Sequence, residues 1–580
     1  MVKRILPAIE WIRDYRFDHF KGDLSAGLIV SILLIPQGMA YGMLAGLPPV
    51  IGLYASTFPL IAYALMGSSR HLAIGPVAMI SLLVFTGVSA LAEPGSQRYI
   101  GLVWVLALMV GAIQFLMGLL RLGFFINFFS HAVLSGFTSA AALLIFSSQL
   151  GHLLGIPLPP QHSVVLLWRE IGSRIGEIHP IALLLGIGSI GVQLLLKWKA
   201  PRFPASLVTV AGGIFLVYLL RLDRTGLKIV GSIPEGFPHF SLPPLNFESA
   251  GLLFPVALSI LFVGFMESVS VAKLIATKEK YKIDSNQELK GLGLANMVAS
   301  FFSGYPVTGG FSRTAVNYQS GAQTPLASMI TGSLVLIVLF FLTPLFYFLP
   351  HAVLASIVIV AVIGLIDIKG LRHLFRIKKV DGWTAVLTSI TTLILGSEKG
   401  ILVGMVFSLF VFIWRSAHPH VAELGYLERE KLFRNLSRYP EAVPFPGILL
   451  IRIDASLYFA NTGFLEDYLH RRLSEKSEIQ WVVFDLSGVN DMDAVAVDAL
   501  EEMMDNYQER GIRFLFASMK GPVRDLVLRA GWEKKYGPIF QYPSLFHALK
   551  EIPKAEKGEV STPHPFFLAD PHGPADDGRR

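Results

Sequence analysis

YPVTGGFSRTAVNYQSG, residues 305–321, decides how this chain is read. It opens on a proline and a pair of glycines, and it carries Arg313, the sole charge between Lys290 and Asp367. A second stretch, HLAIGPVAMIS at 71–81, is interrupted in the same way at Gly75-Pro76. Each break opens a segment too short to cross a bilayer as an ordinary helix. Matched short, Gly/Pro-interrupted segments in the two halves of a membrane chain point to an inverted repeat with a site at the bilayer midplane.

The rest of the sequence fits that frame. Of 580 residues 53% are apolar and 16% are charged, where a soluble domain carries about 25% charge. Mean hydropathy is +0.56. Residues 24–69 hold no Asp, Glu, Lys or Arg, and a spanning helix needs about 20 apolar residues, so this run predicts two spans. Hydropathy places seven spans near 23–45, 48–66, 75–91, 100–120, 124–147, 179–197 and 205–221. Seven more fall near 251–276, 287–303, 310–320, 325–347, 350–367, 379–396 and 399–416. An even number returns both termini to one side. With the termini inside, the inner loops hold 13 Lys or Arg against seven in the outer loops, so both termini are expected in the cytoplasm and the protein in a cell membrane.

The predicted organisation is therefore a cytoplasmic lead-in at 1–22, a helical polytopic domain at 23–420, a linker at 421–446, a small α/β domain at 447–550 and a disordered tail at 551–580. The soluble end is acidic: residues 1–420 carry 29 Lys and Arg against 17 Asp and Glu, and 421–580 carry 20 against 25. The charges of the first 23 residues exclude the apolar core of a cleavable signal peptide. The absence of cysteine excludes disulfides, thiolate metal sites and cysteine nucleophiles. With no GxxxxGK[ST] loop, no HExxH and no nucleophile–base pair in view, neither an ATP drive, an enzyme, a metal nor a cofactor is expected.

Two intramembrane charges carry the functional expectation, because an ionisable group in the bilayer is costly. Glu267, in VGFMESVSVAK, is the sole charge between Glu248 and Lys273. Arg313 lies three residues past Gly310, in the first turn of the second short helix. Helix N-termini carry unpaired N–H donors and about half a positive charge each, so two of them plus Arg313 suit a divalent oxyanion once Glu267 is protonated. Proton and anion then stabilise each other's binding, the basis of symport. The competing reading pairs Glu267 with Arg313 as a purely structural ion pair. Gln37 and Tyr41, four apart on span one, share a face and can line the pocket. Ser312 adds a hydroxyl. Gly42 and Gly46 form a GxxxG step read as close helix packing, and His131 reads as an interhelical donor.

These residues resemble a known family. DLSAGLIVSILLIPQGMAYGMLAGLPPVIGLYAS (23–56), GSSRHLAIGPVAMIS (67–81), SHAVLSGFTSAAAL (130–143) and the run from 283 to 325 are similar to the SulP anion permeases, the solute carrier family 26 type. The resemblance implies core and gate subdomains that move as an elevator, a homodimer, a C-terminal STAS domain, and an anion held between the third and tenth spans. It places that anion at Gln37, Tyr41, Pro76, Val77, Gly310, Phe311, Ser312 and Arg313, with Glu267 as the proton-coupling group. YPVTGGFSRTAVN looks most like the sulfate-type members. Sodium-coupled bicarbonate members instead have aspartate and threonine where Glu267 and Val271 stand, and threonine at Phe311, which argues for protons over sodium.

Proton-coupled sulfate uptake is thus the expectation. C4-dicarboxylate or bicarbonate transport, and an uncoupled channel or exchanger, are the alternatives; a nucleobase permease would have no use for Arg313. The expected partners are a small anion, protons, lipid and a second copy, with no nucleic acid. In DLSGVNDMDAVAVDAL (485–500) the resemblance extends to anti-anti-sigma factors, whose phosphorylated serine is replaced here by Ala494 after Asp493. That position cannot be phosphorylated, although Ser487 remains available.

Overall fold

The computed structural model describes residues 7–124, 130–158, 163–200, 204–244, 246–476 and 478–555. The chain divides into two compact units, residues 1–409 and 410–580.

In the first half of the membrane unit α1 (Ala8–Arg13) precedes α2 (Phe17–Leu44), α3 (Pro49–Tyr54) and α4 (Phe58–Met66). Strand β1 (Ile74–Gly75) leads into α5 (Ala78–Val88). There follow α6 (Gln97–Leu119), α7 (His131–Leu154), α8 (Val164–Ser173), α9 (Pro180–Lys199) and α10 (Ala205–Leu220). The second half runs through α11 (Phe247–Lys278) and α12 (Ser285–Phe301), then β2 (Thr308–Gly309) and α13 (Phe311–Gln319). It ends with α14 (Leu326–Phe341), α15 (His351–Ile363), α16 (Ile368–Ile377), α17 (Lys379–Leu395) and α18 (Ser397–Ala417).

Every expected span thus carries a helix, and among the described residues eight helical stretches are long and apolar enough by themselves to cross a membrane. Three differences have physical causes. The second span is broken at 55–57, where the Ser56 and Thr57 hydroxyls bond back to the carbonyls of Gly52 and Tyr54 and compete with the helix for acceptors. Helix α2 of the first span starts at Phe17, six residues before the expected boundary, because its opening turns carry Asp18, His19, Lys21 and Asp23. Helices α8 and α16 were not expected, since short amphipathic helices average to a modest hydropathy.

Helices α2–α6 and α11–α14 pack among themselves, as do α7, α9, α10, α15 and α17, which separates the core from the gate. Glycines set the closest contacts. A Cβ on Gly111 of α6 would stand 2.6 Å from the Met297 nitrogen of α12, and one on Gly136 of α7 2.2 Å from the Ala385 carbonyl oxygen of α17. The GxxxG expectation is corrected here: Gly46 lies beyond the end of α2 at φ +73°, so it cannot serve as a helix-face residue. Gly38 and Gly42 instead face Gly52, whose added Cβ would sit 1.9 Å from the Gly38 carbonyl oxygen. Gly52→Ala is expected to destabilise the membrane unit by about 1–3 kcal/mol through overpacking. A thermal unfolding midpoint equal to that of the parent would show that the contact yields.

In the C-terminal unit β3 (Val421–Leu427), β4 (Leu432–Asn435), β5 (Ile448–Ile453), β6 (Trp481–Asp485) and β7 (Arg513–Ala517) form one sheet of order β4-β3-β5-β6-β7. The β5–β6 and β6–β7 pairs are parallel and the others antiparallel. Strand β6, fully buried, and β7, buried past Arg513, place apolar clusters on both faces, one against α19 (Thr462–Glu475) and α20 (Ala494–Gln508). Residues 421–446, expected as a linker, therefore supply two strands. Past α21 (Gly521–Arg529) and α22 (Trp532–Tyr536), α23 runs over Leu545–Ala555. The rest of the expected tail, and residues 1–6 of the lead-in, lie outside the described residues. Asp493 caps α20 through Oδ1, which accepts the Ala496 N–H at 2.7 Å, leaving Ala494 as its first residue.

Candidate functional site

The two breaks meet. Ile74 pairs with Gly309 and Gly75 with Thr308 in an antiparallel ladder, so α5 and α13 leave this crossing in opposite directions, each with its N-terminus at it. Neither cap residue, Val77 or Gly310, supplies a side-chain acceptor, which leaves helix-end donors at one point. Gly75 has φ +145°, a backbone that side chains rarely adopt.

Arg313 ties the halves together. It is 4% exposed; its Nε donates to the Ala73 carbonyl at 3.3 Å and its Nη1 to the Pro76 carbonyl at 3.0 Å. Around it, the Gly310 N–H donates to Ala73 O at 3.2 Å, the Ala73 N–H to Thr314 Oγ1 at 3.1 Å, and Asn317 Nδ2 to the His71 carbonyl at 2.8 Å. The third guanidinium nitrogen, Nη2, is buried without a partner among the described residues. Added Cβ atoms on Gly75 or Gly310 would both lie 3.2 Å from it, so the two glycines leave room for the guanidinium at the crossing.

Glu267 comes from α11, in the wall beside the second break. Its carboxyl lies close to the backbone N–H of Phe311 and within electrostatic reach of Arg313. Among the described residues no direct ion pair joins the two: the guanidinium's hydrogen bonds go to carbonyls. The competing structural-pair reading therefore lacks its contact. Tyr41 is buried and also within electrostatic reach of Arg313 and Glu267. The structure thus gathers Tyr41, Pro76, Val77, Gly310, Arg313 and Glu267 around one point. Phe311, 52% exposed, and Ser312 present outward surface at the mouth of α13. Gln37 is half-buried one turn before Tyr41 and makes no hydrogen bond to a described group.

Residues the sequence reading passed over hold this arrangement. Tyr305 is fully buried, shares a 3.0 Å hydrogen bond with Ser81 Oγ, and lies within electrostatic reach of Arg313. Ser268 accepts the Gly309 N–H at 2.8 Å and bonds Thr308 Oγ1 at 2.7 Å, fastening β2 to α11 beside Glu267. Asn296 accepts the Val307 N–H at 2.7 Å and donates to Gln114 at 2.9 Å. A hydroxyl directly after Glu267, and a lone Asn in an apolar span, were the available signals. At the end of the bundle where α2 begins and α4 ends, two fully buried carboxylates staple the halves. Asp23 accepts from the Gln323 and Thr324 N–H groups at 2.7 and 2.9 Å and from Thr324 Oγ1 at 2.6 Å. Glu288 accepts from Tyr63 Oη, Ser68 N, Ser68 Oγ and Ser69 N at 2.7, 2.7, 2.7 and 2.9 Å.

A polytopic helical bundle whose two interrupted helices end on each other over a buried arginine is a membrane transporter of anions. The chain belongs to the sulfate permease family, whose model matches residues 20–388, and its C-terminal unit matches the STAS domain at 439–543. It is 41% identical over 547 residues to the probable sulfate transporter 4.2 of Arabidopsis thaliana, covering 91% of this chain and 81% of that one. It is 40% identical over 567 residues to the chloroplastic sulfate transporter 4.1 of the same plant, covering 95% and 82%. In fold it matches the murine solute carrier 26 family member A9 anion transporter in its inward-facing state, with a TM-score of 0.88 at 24% identity over 94% of each chain. The family is one of transporters and not of enzymes.

Proposed function

We propose that this chain takes up sulfate in symport with protons, by an elevator motion of the core against the gate, as a homodimer in a cell membrane with both termini cytoplasmic. The observation that carries the reading is the shared setting: Glu267 stands close to the Phe311 N–H, at the very helix end where Arg313 Nη2 has no partner among the described residues. A charged carboxylate there competes with the anion for the same donors and repels it. Protonation removes the charge, leaves that N–H to the substrate and gives a net positive pocket for a dianion. Proton and sulfate then bind cooperatively, and each requires the other to cross. The naming of sulfate rests on the plant relatives at 40% and 41% identity.

Proteoliposomes with an inward proton gradient are expected to accumulate labelled sulfate above equilibrium. Glu267→Gln, a standing mimic of the protonated acid, is expected to equilibrate sulfate at a rate independent of the gradient while assembling normally. Equilibration by the parent would establish an uncoupled channel or exchanger, competition by C4-dicarboxylates at equal concentration would reassign the substrate, and a Glu267→Gln protein that still accumulates sulfate would remove the carboxyl from coupling.

A further inference from the structure

The central site is not the only place where basic groups converge. A cavity of about 420 Å³ lies between core and gate where α2 and α7 end and α9 and α15 begin, the outer end of the bundle with the termini inside. None of the residues assigned above to the central site lines it. Its ionisable lining is Glu93, His152, His179, Lys228 and His351.

These groups are not equivalent. His179 is committed to the fold: its Nδ1 accepts the Ala182 N–H at 3.3 Å, so its Nε2 carries the proton and donates to the Thr225 carbonyl at 3.0 Å. His152 and His351 stand edge to face with ring centroids 5.8 Å apart. Neither ring makes a hydrogen bond to a described group, and His351 Nδ1 is buried without a partner. Lys228 acts electrostatically on both rings and has no ion pair among the described residues. Its position is fixed, since its carbonyl accepts the His351 N–H at 3.1 Å and the Val230 N–H donates to Leu349 O at 2.9 Å. Glu93, exposed on the facing loop, is the one acid in the lining.

A buried imidazole nitrogen with no partner costs free energy unless something fills its hydrogen bond. That nitrogen of His351, with the His152 ring edge to face beside it and an ammonium that has no ion pair among the described residues, is matched by an oxyanion, which accepts from all three. A metal is a poor fit, since no cluster of three or more His, Cys, Asp or Glu with ligand geometry occurs among the described residues. We propose that this cavity is a second anion site, taking a tetrahedral dianion such as sulfate between Lys228, His351 and His152 before it reaches the central site. The inference rests on the transport reading for the direction of flow, though not for the binding itself.

Equilibrium binding of labelled inorganic sulfate to the purified full-length protein tests it. At pH 6 the Arg313→Gln protein is expected to retain a weak component. Adding Lys228→Gln and His351→Gln is expected to weaken that component by at least about tenfold. Lys228→Gln alone, at an exposed residue without an ion pair, serves if the combined variant unfolds. The proposal is overturned if Arg313→Gln binds no sulfate at pH 6, or if its residual binding ignores both added substitutions, which would mark it as nonspecific. A parent that shows the Arg313-independent component yet takes up no sulfate would sink the transport reading alone. Normal uptake without that component would sink this inference alone.

Discussion

Replacing Arg313 by glutamine is expected to lower proton-driven sulfate uptake by at least about a hundredfold, the loss of roughly 2.7 kcal/mol that a charge-assisted hydrogen bond in a dry site supplies. The guanidinium is the buried positive charge at the crossing of the two breaks, and its unpartnered Nη2 is the donor left over for a substrate. The same side chain bonds the Ala73 and Pro76 carbonyls, so glutamine removes both the charge and the clamp that orients the opposing helix end. Arg313→Lys is expected to fail nearly as badly, because a single ammonium cannot span two carbonyls and still present a free N–H to an anion. Initial rates in proteoliposomes, normalised to folded protein by thermal unfolding, check this. Uptake by Arg313→Gln within about threefold of the parent would show that the anion is held elsewhere.

Glu288→Ala is expected to cost the fold more than any other single substitution considered above, about 3 kcal/mol or more. Alanine would strand the Ser68 and Ser69 N–H groups and the hydroxyls of Tyr63 and Ser68, all of which now converge on one buried carboxylate. Those donors belong to α4 and the turn after it, whereas Glu288 belongs to α12, so the staple holds the first half of the repeat to the second. Asp23 makes the reciprocal connection to the turn before α14. Glu288→Gln keeps an acceptor but sets an amide NH2 against these donors, and recovers only part of the loss. The measurement is the thermal unfolding midpoint of the purified protein. A Glu288→Ala midpoint equal to the parent's would mean that water replaces the carboxylate without penalty, contrary to its complete burial.

How far the sequence could be read follows from the size of each energy. An apolar run, a proline and glycine pair inside it, or a charge in the bilayer each involves several kcal/mol at one position. Such features stand out in one dimension, and the spans, both breaks, Glu267 and Arg313 were legible for that reason. Asp23 and Glu288 were not. Each sits at the edge of an apolar run among other polar residues, where an acid is ordinary, and its burial depends on a turn some 220 to 300 residues away. The break in the second span escaped likewise, because Ser56 and Thr57 are tolerated in a membrane helix until their neighbours draw the backbone aside. Strands β3 and β4 hid in a polar stretch that no hydrophobic alternation marks.

The amino-acid order alone therefore settled that the chain crosses a membrane many times, that its two halves are interrupted alike, and that a cation and an acid survive near those interruptions, since solvation penalties act residue by residue. Three-dimensional packing alone decided that the interruptions pair strand to strand, that Arg313 of one half grips carbonyls of the other, that Glu267 stands at a helix end without pairing with the arginine, and that histidines 152 and 351 share a cavity with Lys228. Hydrogen bonds and charge pairs fall off within a few ångströms, so their partners exist only once the chain has folded.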